Sequence, residues 1–145
     1  MMRLPASILG EVTAYARLAY PEECCGVLVG RDSGNHGAPR NVVRIIALEN
    51  VLASERDRRY QIPAETVRSA ERDAEDQGLQ VIGFYHSHPN GTSEPSAFDR
   101  EHAWPWYGYL IVAVKEDDTG PVRAWLLADD RSRFQEEELT IVEEL

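Results

Sequence analysis

The stretch GFYHSHPNGTSEPSAFD, Gly83 to Asp99, runs an apolar segment into two histidines one residue apart, then into a Pro-containing polar loop and a helix start. In an extended strand, side chains at i and i+2 point to the same side, so His86 and His88 project together while Ser87 points away. That spacing presents two imidazole nitrogens to one ion. A catalytic zinc typically takes three protein ligands and leaves a fourth position open, so a third ligand must come from elsewhere in space. Asp99 is the leading candidate: in PSAFD, Ser96 reads as an N-cap with Asp99 three residues on, in the first helical turn. The ten residues between His88 and Asp99 let the chain fold back on the strand end, with Pro89 and Pro95 stiffening the loop. Each part alone has a plainer reading, since a His-x-His pair is more often packed or exposed than ligating, and Ser-x-x-Asp caps a helix whatever else it does. The combination is what points to a metal.

Outward from this stretch, strands and helices alternate. LQVIGFYHSH reads as a strand following the clearest helix of the chain, IPAETVRSAERDAEDQG, with Pro63 near its start, Glu65 in its first turn, Val67, Ala70 and Ala74 on one side and Gly78 as its stop. Before it, Ile8, Val12, Tyr15 and Ala19 fall at helical spacing between Pro5 and Pro21, predicting an amphipathic helix of about four turns. CCGVLVG is a short buried strand ending at Gly30, RDSGNHGAPR a turn-rich loop and NVVRIIALENV a second strand. After a short helix from Ser96, YGYLIVAVK, the turn EDDTG and PVRAWLLA read as a hairpin, and ELTIVEEL as a last strand. The expected class is α/β: one domain over residues 1–145, a mixed sheet of five or six strands packed with helices.

With 145 residues the chain is long enough to bury roughly two-thirds of the surface its unfolded form exposes, without needing disulfides or metal merely to fold. The two cysteines, Cys24 and Cys25, are sequence neighbours and so poorly placed to bridge each other, which suits a reducing, cytoplasmic setting. There is no membrane-length apolar run and no signal-peptide pattern at the start. The net charge of -10 argues against nucleic acid, whose affinity rests on cations neutralising phosphates; it reads first as solvation.

The quoted stretch resembles the signature of the JAMM (MPN+) metalloprotease family, His-x-His-Pro followed by Pro-Ser-x-x-Asp, with every element present. YPEECCGVLVG resembles the family's Glu-bearing segment, ENVLASERDRRYQIPAE the stretch before its second helix, and WYGYLIVAV with VRAWLL its later strands, so the likeness covers about Ala14 to Leu127. It implies an MPN/JAB-type domain with cytidine-deaminase-like layering, and a zinc ion held by His86, His88 and Asp99. It further implies a water nucleophile activated by zinc and by a glutamate acting as general base. Of Glu22 and Glu23, the family's spacing of seven residues to the strand-ending glycine selects Glu23, measured to Gly30, and leaves Glu22 solvated. Ser96 resembles the family serine that stabilises the oxyanion.

The likeness is greatest to the prokaryotic single-domain branch. It implies hydrolysis of a peptide or isopeptide bond after the C-terminal tail of a ubiquitin-like or sulfur-carrier protein, the tail lying beside a sheet edge. The alternative is a non-catalytic MPN-type scaffold, which would not need Glu23 and Ser96. Zinc-dependent deamination would call for His-x-Glu and Pro-Cys-x-x-Cys, and neither occurs. Cys24 and Cys25 are expected to be packing, His36 and His102 exposed, and Trp104 and Trp106 packed near the sheet.

Overall fold

The computed structural model describes residues 1–32, 38–52, 55–56, 60–116 and 118–143. Apolar patterning and turn residues divide the chain into β1 (Met2–Pro5), α1 (Ala6–Ala19), β2 (Cys25–Arg31), β3 (Arg40–Leu48), α2 (Ala64–Asp76), β4 (Gln80–His88), α3 (Ala97–His102), β5 (Gly108–Lys115), β6 (Asp118–Leu127), β7 (Phe134–Glu137) and β8 (Leu139–Val142). The strands form one mixed sheet in the order β7-β6-β5-β4-β2-β3-β1-β8. Its two edge strands, β7 and β8, are consecutive in the chain and separated by Glu138 alone. One intervening residue spans at most about 7 Å between Cα atoms. Eight strands laid flat would put the edges roughly 34 Å apart. The sheet must therefore curl until its edges nearly meet, and the Met1 ammonium, beside β1, donates to Glu137 Oε2 of β7 at 3.2 Å across that seam.

The curl gives the sheet an inside and an outside. Helix α1 packs against strands as far apart in the order as β6 and β8, so it occupies the concave side. Its buried residues are Ile8, Val12 and Ala16, in a core with Leu28, Ile82, Tyr85, Leu110 and Val112. Burying Ile8 and Val12 contributes about 1.5–3 kcal/mol each relative to exposure. Tyr15, expected on that face, is 41% exposed, because the helix turns the i+4 row of small and branched residues inward instead. Helix α2 covers the other face through Val67, Ala70 and Ala74, against Val27, Val29, Val81 and Phe84. It stops at Gly78, whose φ of 71° is the left-handed conformation that glycine adopts without a steric penalty.

Among the described residues the sheet has eight strands, not five or six. The two additions, β1 and β7, are four residues each, too short to show a period of two, and β7 reads FQEE, poor in strand-forming side chains. Both exist because of partners already in place: the distant β3 and β8 for β1, and the preceding strand β6, in a hairpin, for β7. The hairpin turn is also tighter than EDDTG, since Lys115 pairs with Asp118 and β6 already includes Asp118, Thr119 and Gly120. Half of the 31–40 loop, residues 33–37 with His36, lies outside the described residues.

Two features of β4 set the site. The pairing with β2 shifts between Leu28 and Val29, which face Gly83 and Val81, so Ile82 is the extra residue of a bulge. A bulge resets which side chains face which way. Val81 and Phe84 consequently both face α2, and beyond the bulge His86 and His88 follow Phe84 onto that face. Gly83 lies beside Gly108 of β5, and a Cβ there would collide with the Gly108 carbonyl. Gly83→Ala is expected to destabilise the fold by about 1–3 kcal/mol through this overpacking. The check is the urea midpoint, and an unchanged value would show that β4 and β5 do not approach so closely.

Candidate metal centre

Strand β4 ends on His86, Ser87 and His88, between β2 and β5 in the interior of the sheet. The β4–β5 pair is parallel, and parallel neighbours cannot be joined by a tight turn. The connection 89–107 therefore crosses over the sheet, carrying α3 with it. Helix α3 starts in a capping box: the Asp99 amide donates to Ser96 Oγ at 3.0 Å, and the Ser96 amide donates to Asp99 Oδ2 at 2.8 Å. The cap fixes the Asp99 carboxylate against the end of β4.

The result is a triangle of three atoms. His86 Nε2 and His88 Nε2 are 3.0 Å apart, and Asp99 Oδ2 lies 3.2 Å from the first and 3.1 Å from the second. All three residues are buried, with 1%, 4% and 8% exposure. Ligand atoms 2.0–2.1 Å from a tetrahedral zinc would be about 3.3 Å from one another, so the triangle has the size of a shared ion's donor set. The donor chemistry, two imidazoles and a carboxylate, fits as well. Burial pushes the His86 pKa down against the pull of Asp99, favouring a neutral ring with a lone pair to offer. Burial opposes the charge on Asp99 too, but the imidazoles and the Ser96 amide outweigh it and hold this carboxyl well below the usual range.

Glu23 reaches the same place from β2. Cys25 pairs with His86, so continuing the ladder two residues outward sets Glu23 opposite His88. Its carboxylate lies within 4.8 Å of the imidazole nitrogens of His86 and His88, and the residue is 3% exposed. Glu23, His86 and His88 thus form a buried group able to hold a metal ion. Glu22 is exposed, as expected. The lead-in to β2 is clamped twice: the Glu23 amide donates to the Arg56 carbonyl at 2.6 Å, and the Cys24 amide donates to Ser87 Oγ at 2.9 Å. The Ser87 amide returns a bond to the Cys24 carbonyl at 3.1 Å. Ser87 is the residue between the two histidines, fully buried on the opposite face. Sequence reasoning saw that it points away but not that it anchors the segment carrying Glu23.

Ser96 serves its cap as an acceptor, so its own hydroxyl proton remains available to a second partner. It borders a cavity of about 420 Å³ together with Glu23, His88, Asn90, Thr92 and Phe98. A second cavity of about 390 Å³ lies on the other side of Phe98, walled by Tyr60, Phe84, Asp99, Trp104 and Tyr109. Trp104 and Trp106, expected to pack, are 49% and 46% exposed; Trp104 edges this second cavity and Trp106 covers the Arg40 guanidinium at 4.8 Å. Cys25 is buried and Cys24 half-buried, and burial pushes their thiols up to about 12 and about 11, as packing residues rather than nucleophiles. His102 is exposed, its ring stacked on Phe98 at 4.0 Å. A larger hollow of about 620 Å³ at the β7–β8 seam touches none of these groups. Among the described residues, no helix is long and apolar enough to cross a membrane.

An α/β sheet whose central strand delivers two buried histidines to a capped aspartate, with a glutamate facing them, has the build of a metallopeptidase centre. Comparison with known proteins agrees: the model of prokaryotic homologs of the JAB domain matches residues 5–128, and the chain belongs to that family, the prokaryotic branch of the JAMM metalloproteases. It is 42% identical over 108 residues to a desampylase from Haloferax volcanii, covering 74% of this chain and 73% of that protein. It is 31% identical over 129 residues to a probable TtuB-protein conjugate cleaving protease from Thermus thermophilus, covering 89% and 78%. The solution structure of a Desulfitobacterium hafniense protein superimposes with a TM-score of 0.84 at 31% identity, covering 100% of this chain and 95% of that one.

The Ser87 clamp makes a specific expectation. Ser87→Ala should free the Cys24 amide and let Glu23 drift, lowering kcat about 10-fold or more with metal content unchanged, while Ser87→Thr restores it. Turnover of a conjugate substrate and elemental analysis on the same samples check this, and a full-rate alanine variant would remove Ser87 from the argument.

Proposed function

We propose that the chain is a zinc-dependent peptidase or isopeptidase that hydrolyses an amide bond after the C-terminal tail of a ubiquitin-like or sulfur-carrier protein. The observation that carries this reading is that Glu23, His88 and Ser96 border one cavity, and that His88 is at the same time one corner of the triangle it forms with His86 and Asp99. His86, His88 and Asp99 would hold the ion. Zinc bound there supplies Lewis acidity, polarising a carbonyl and bringing the pKa of a water toward 7.

The remaining work falls to side chains. Glu23 takes the proton of the attacking water on its carboxylate and returns it to the leaving nitrogen, so one group serves as base and then as acid. Its burial keeps bulk water from competing for that proton. Ser96 donates a hydrogen bond from its hydroxyl to the oxygen of the carbonyl under attack, where negative charge develops. The Asp99 amide, bonded to Ser96 Oγ, holds that hydroxyl in place. An extended tail with small terminal residues suits a site reached through clefts rather than an open face. The names of the relatives, conjugate-cleaving proteases among them, support a carrier-protein conjugate as substrate. A scaffold that only holds a partner would gain nothing from a glutamate buried to 3% exposure, since desolvating a carboxyl group is costly.

Glu23→Gln should retain zinc and lose turnover of a carrier conjugate by 10²-fold or more, about the span of general acid–base catalysis. His86→Ala, His88→Ala and Asp99→Ala should lose both metal and turnover. Ser96→Ala should keep zinc and slow turnover about 10²-fold. Full activity in Glu23→Gln would refute the base assignment, and a wild-type protein that takes up no zinc would refute the metal centre.

A further inference from the structure

We propose that Tyr60 is a positioning residue for the metal centre, fixing the plane of the His86 ring by stacking. The proposal rests on the reading of His86 as a metal ligand. A ligating imidazole usually donates its second ring N–H to a carboxylate, carbonyl or water, and that bond sets the ring's rotation. His86 lacks it: Nδ1 is buried and has no hydrogen-bond partner among the described residues. The torsion that turns an imidazole about its Cβ–Cγ bond has a broad, weakly defined minimum, so the side chain does not hold its own plane. Packing must do so.

Tyr60 supplies a flat wall. Its ring lies against His86 with centroids 4.5 Å apart and planes 29° from parallel. The His88 ring, 4.8 Å away and tilted by 60°, does not block the same rotation face-on. Tyr60 is in turn held by its neighbours. Asn50 Oδ1 accepts from the amides of Leu52 and Gln61, each at 3.2 Å, and the Val51 amide donates to the Gln61 carbonyl at 3.4 Å. These bonds pin the base of the loop one residue from Tyr60. Among the described residues nothing in this arrangement uses the phenol oxygen, so the ring alone should suffice.

The test is zinc affinity by competition with a chelator, with the visible d–d spectrum of the cobalt-loaded protein reporting ligand geometry. Tyr60→Phe should match wild type in both. Tyr60→Leu should bind zinc about 10-fold or more weakly, the usual cost of losing an outer-sphere partner, and should shift or broaden the cobalt bands. The urea midpoint of its metal-free form should stay at the wild-type value, separating a loosened ligand from a damaged fold. Asn50→Ala, with Tyr60 intact, should weaken zinc in the same direction, and it carries the test if Tyr60→Leu does not fold. Wild-type affinity and spectrum in Tyr60→Leu, or an equal loss in Tyr60→Phe, overturns the proposal. A wild-type protein that binds neither metal overturns the metal-centre reading and the proposal together, whereas normal wild-type loading with an unaffected Tyr60→Leu overturns the proposal alone.

Discussion

The contact on which the rest of the structure depends is the meeting of His86 Nε2, His88 Nε2 and Asp99 Oδ2 within 3.2 Å of one another, away from water. Three polar atoms at that distance tolerate little error in the elements that deliver them. The two histidines need one rigid strand with the right parity, and the bulge at Ile82 sets that parity. The aspartate needs a backbone anchored independently of the triangle, which the capping box provides. A loop side chain without that cap would lose conformational entropy on being held there, with nothing local to offset it.

Topology and chemistry are coupled through the parallel pair. Had β4 and β5 been antiparallel, a short turn could have joined them and no element would need to pass over the end of β4. Because they are parallel, the crossover must return along one face of the sheet, and Ala103, the residue that caps the end of α3, packs there into the core that α2 covers. His86 and His88 face the same side. The curl that brings β7 to β8 leaves α1 on the concave face, and the convex face remains for α2, α3 and the site.

Much of this was legible because the decisive signals are local. Period two put His86 and His88 together, Ser-x-x-Asp placed Asp99 in the first turn of α3, and Pro63 and Gly78 bracketed α2. What was not legible depends on long-range register. Ser87 acquires its role only because Cys25 pairs with His86, which brings the Cys24 amide to its hydroxyl. Tyr60 matters only because its ring lies against His86 of β4, a contact between residues 26 apart in the chain. The strands β1 and β7 have too few residues to declare themselves and form because partners already exist. Trp104 and Trp106 were misread by the tendency of aromatics to bury; both are about half exposed, Trp106 covering the Arg40 guanidinium and Trp104 edging a cavity.

Protons alone satisfy the triangle poorly. A neutral imidazole carries one N–H and one lone pair. With both protons on Nε2, the 3.0 Å contact sets hydrogen against hydrogen; with both on Nδ1, two ring lone pairs face each other and the carboxylate oxygen. One proton on each side of that choice satisfies a single edge and leaves another with lone pair against lone pair. Charging His86 is the remaining remedy, and its burial works against that. A cation attracts all three atoms at once, so the site gains most when both Nε2 atoms are lone-pair donors. That choice moves both ring protons to Nδ1, where His86 and His88 have no hydrogen-bond partner among the described residues. The orientation of the rings then falls to packing, which gives the stacked aromatic beside His86 its importance.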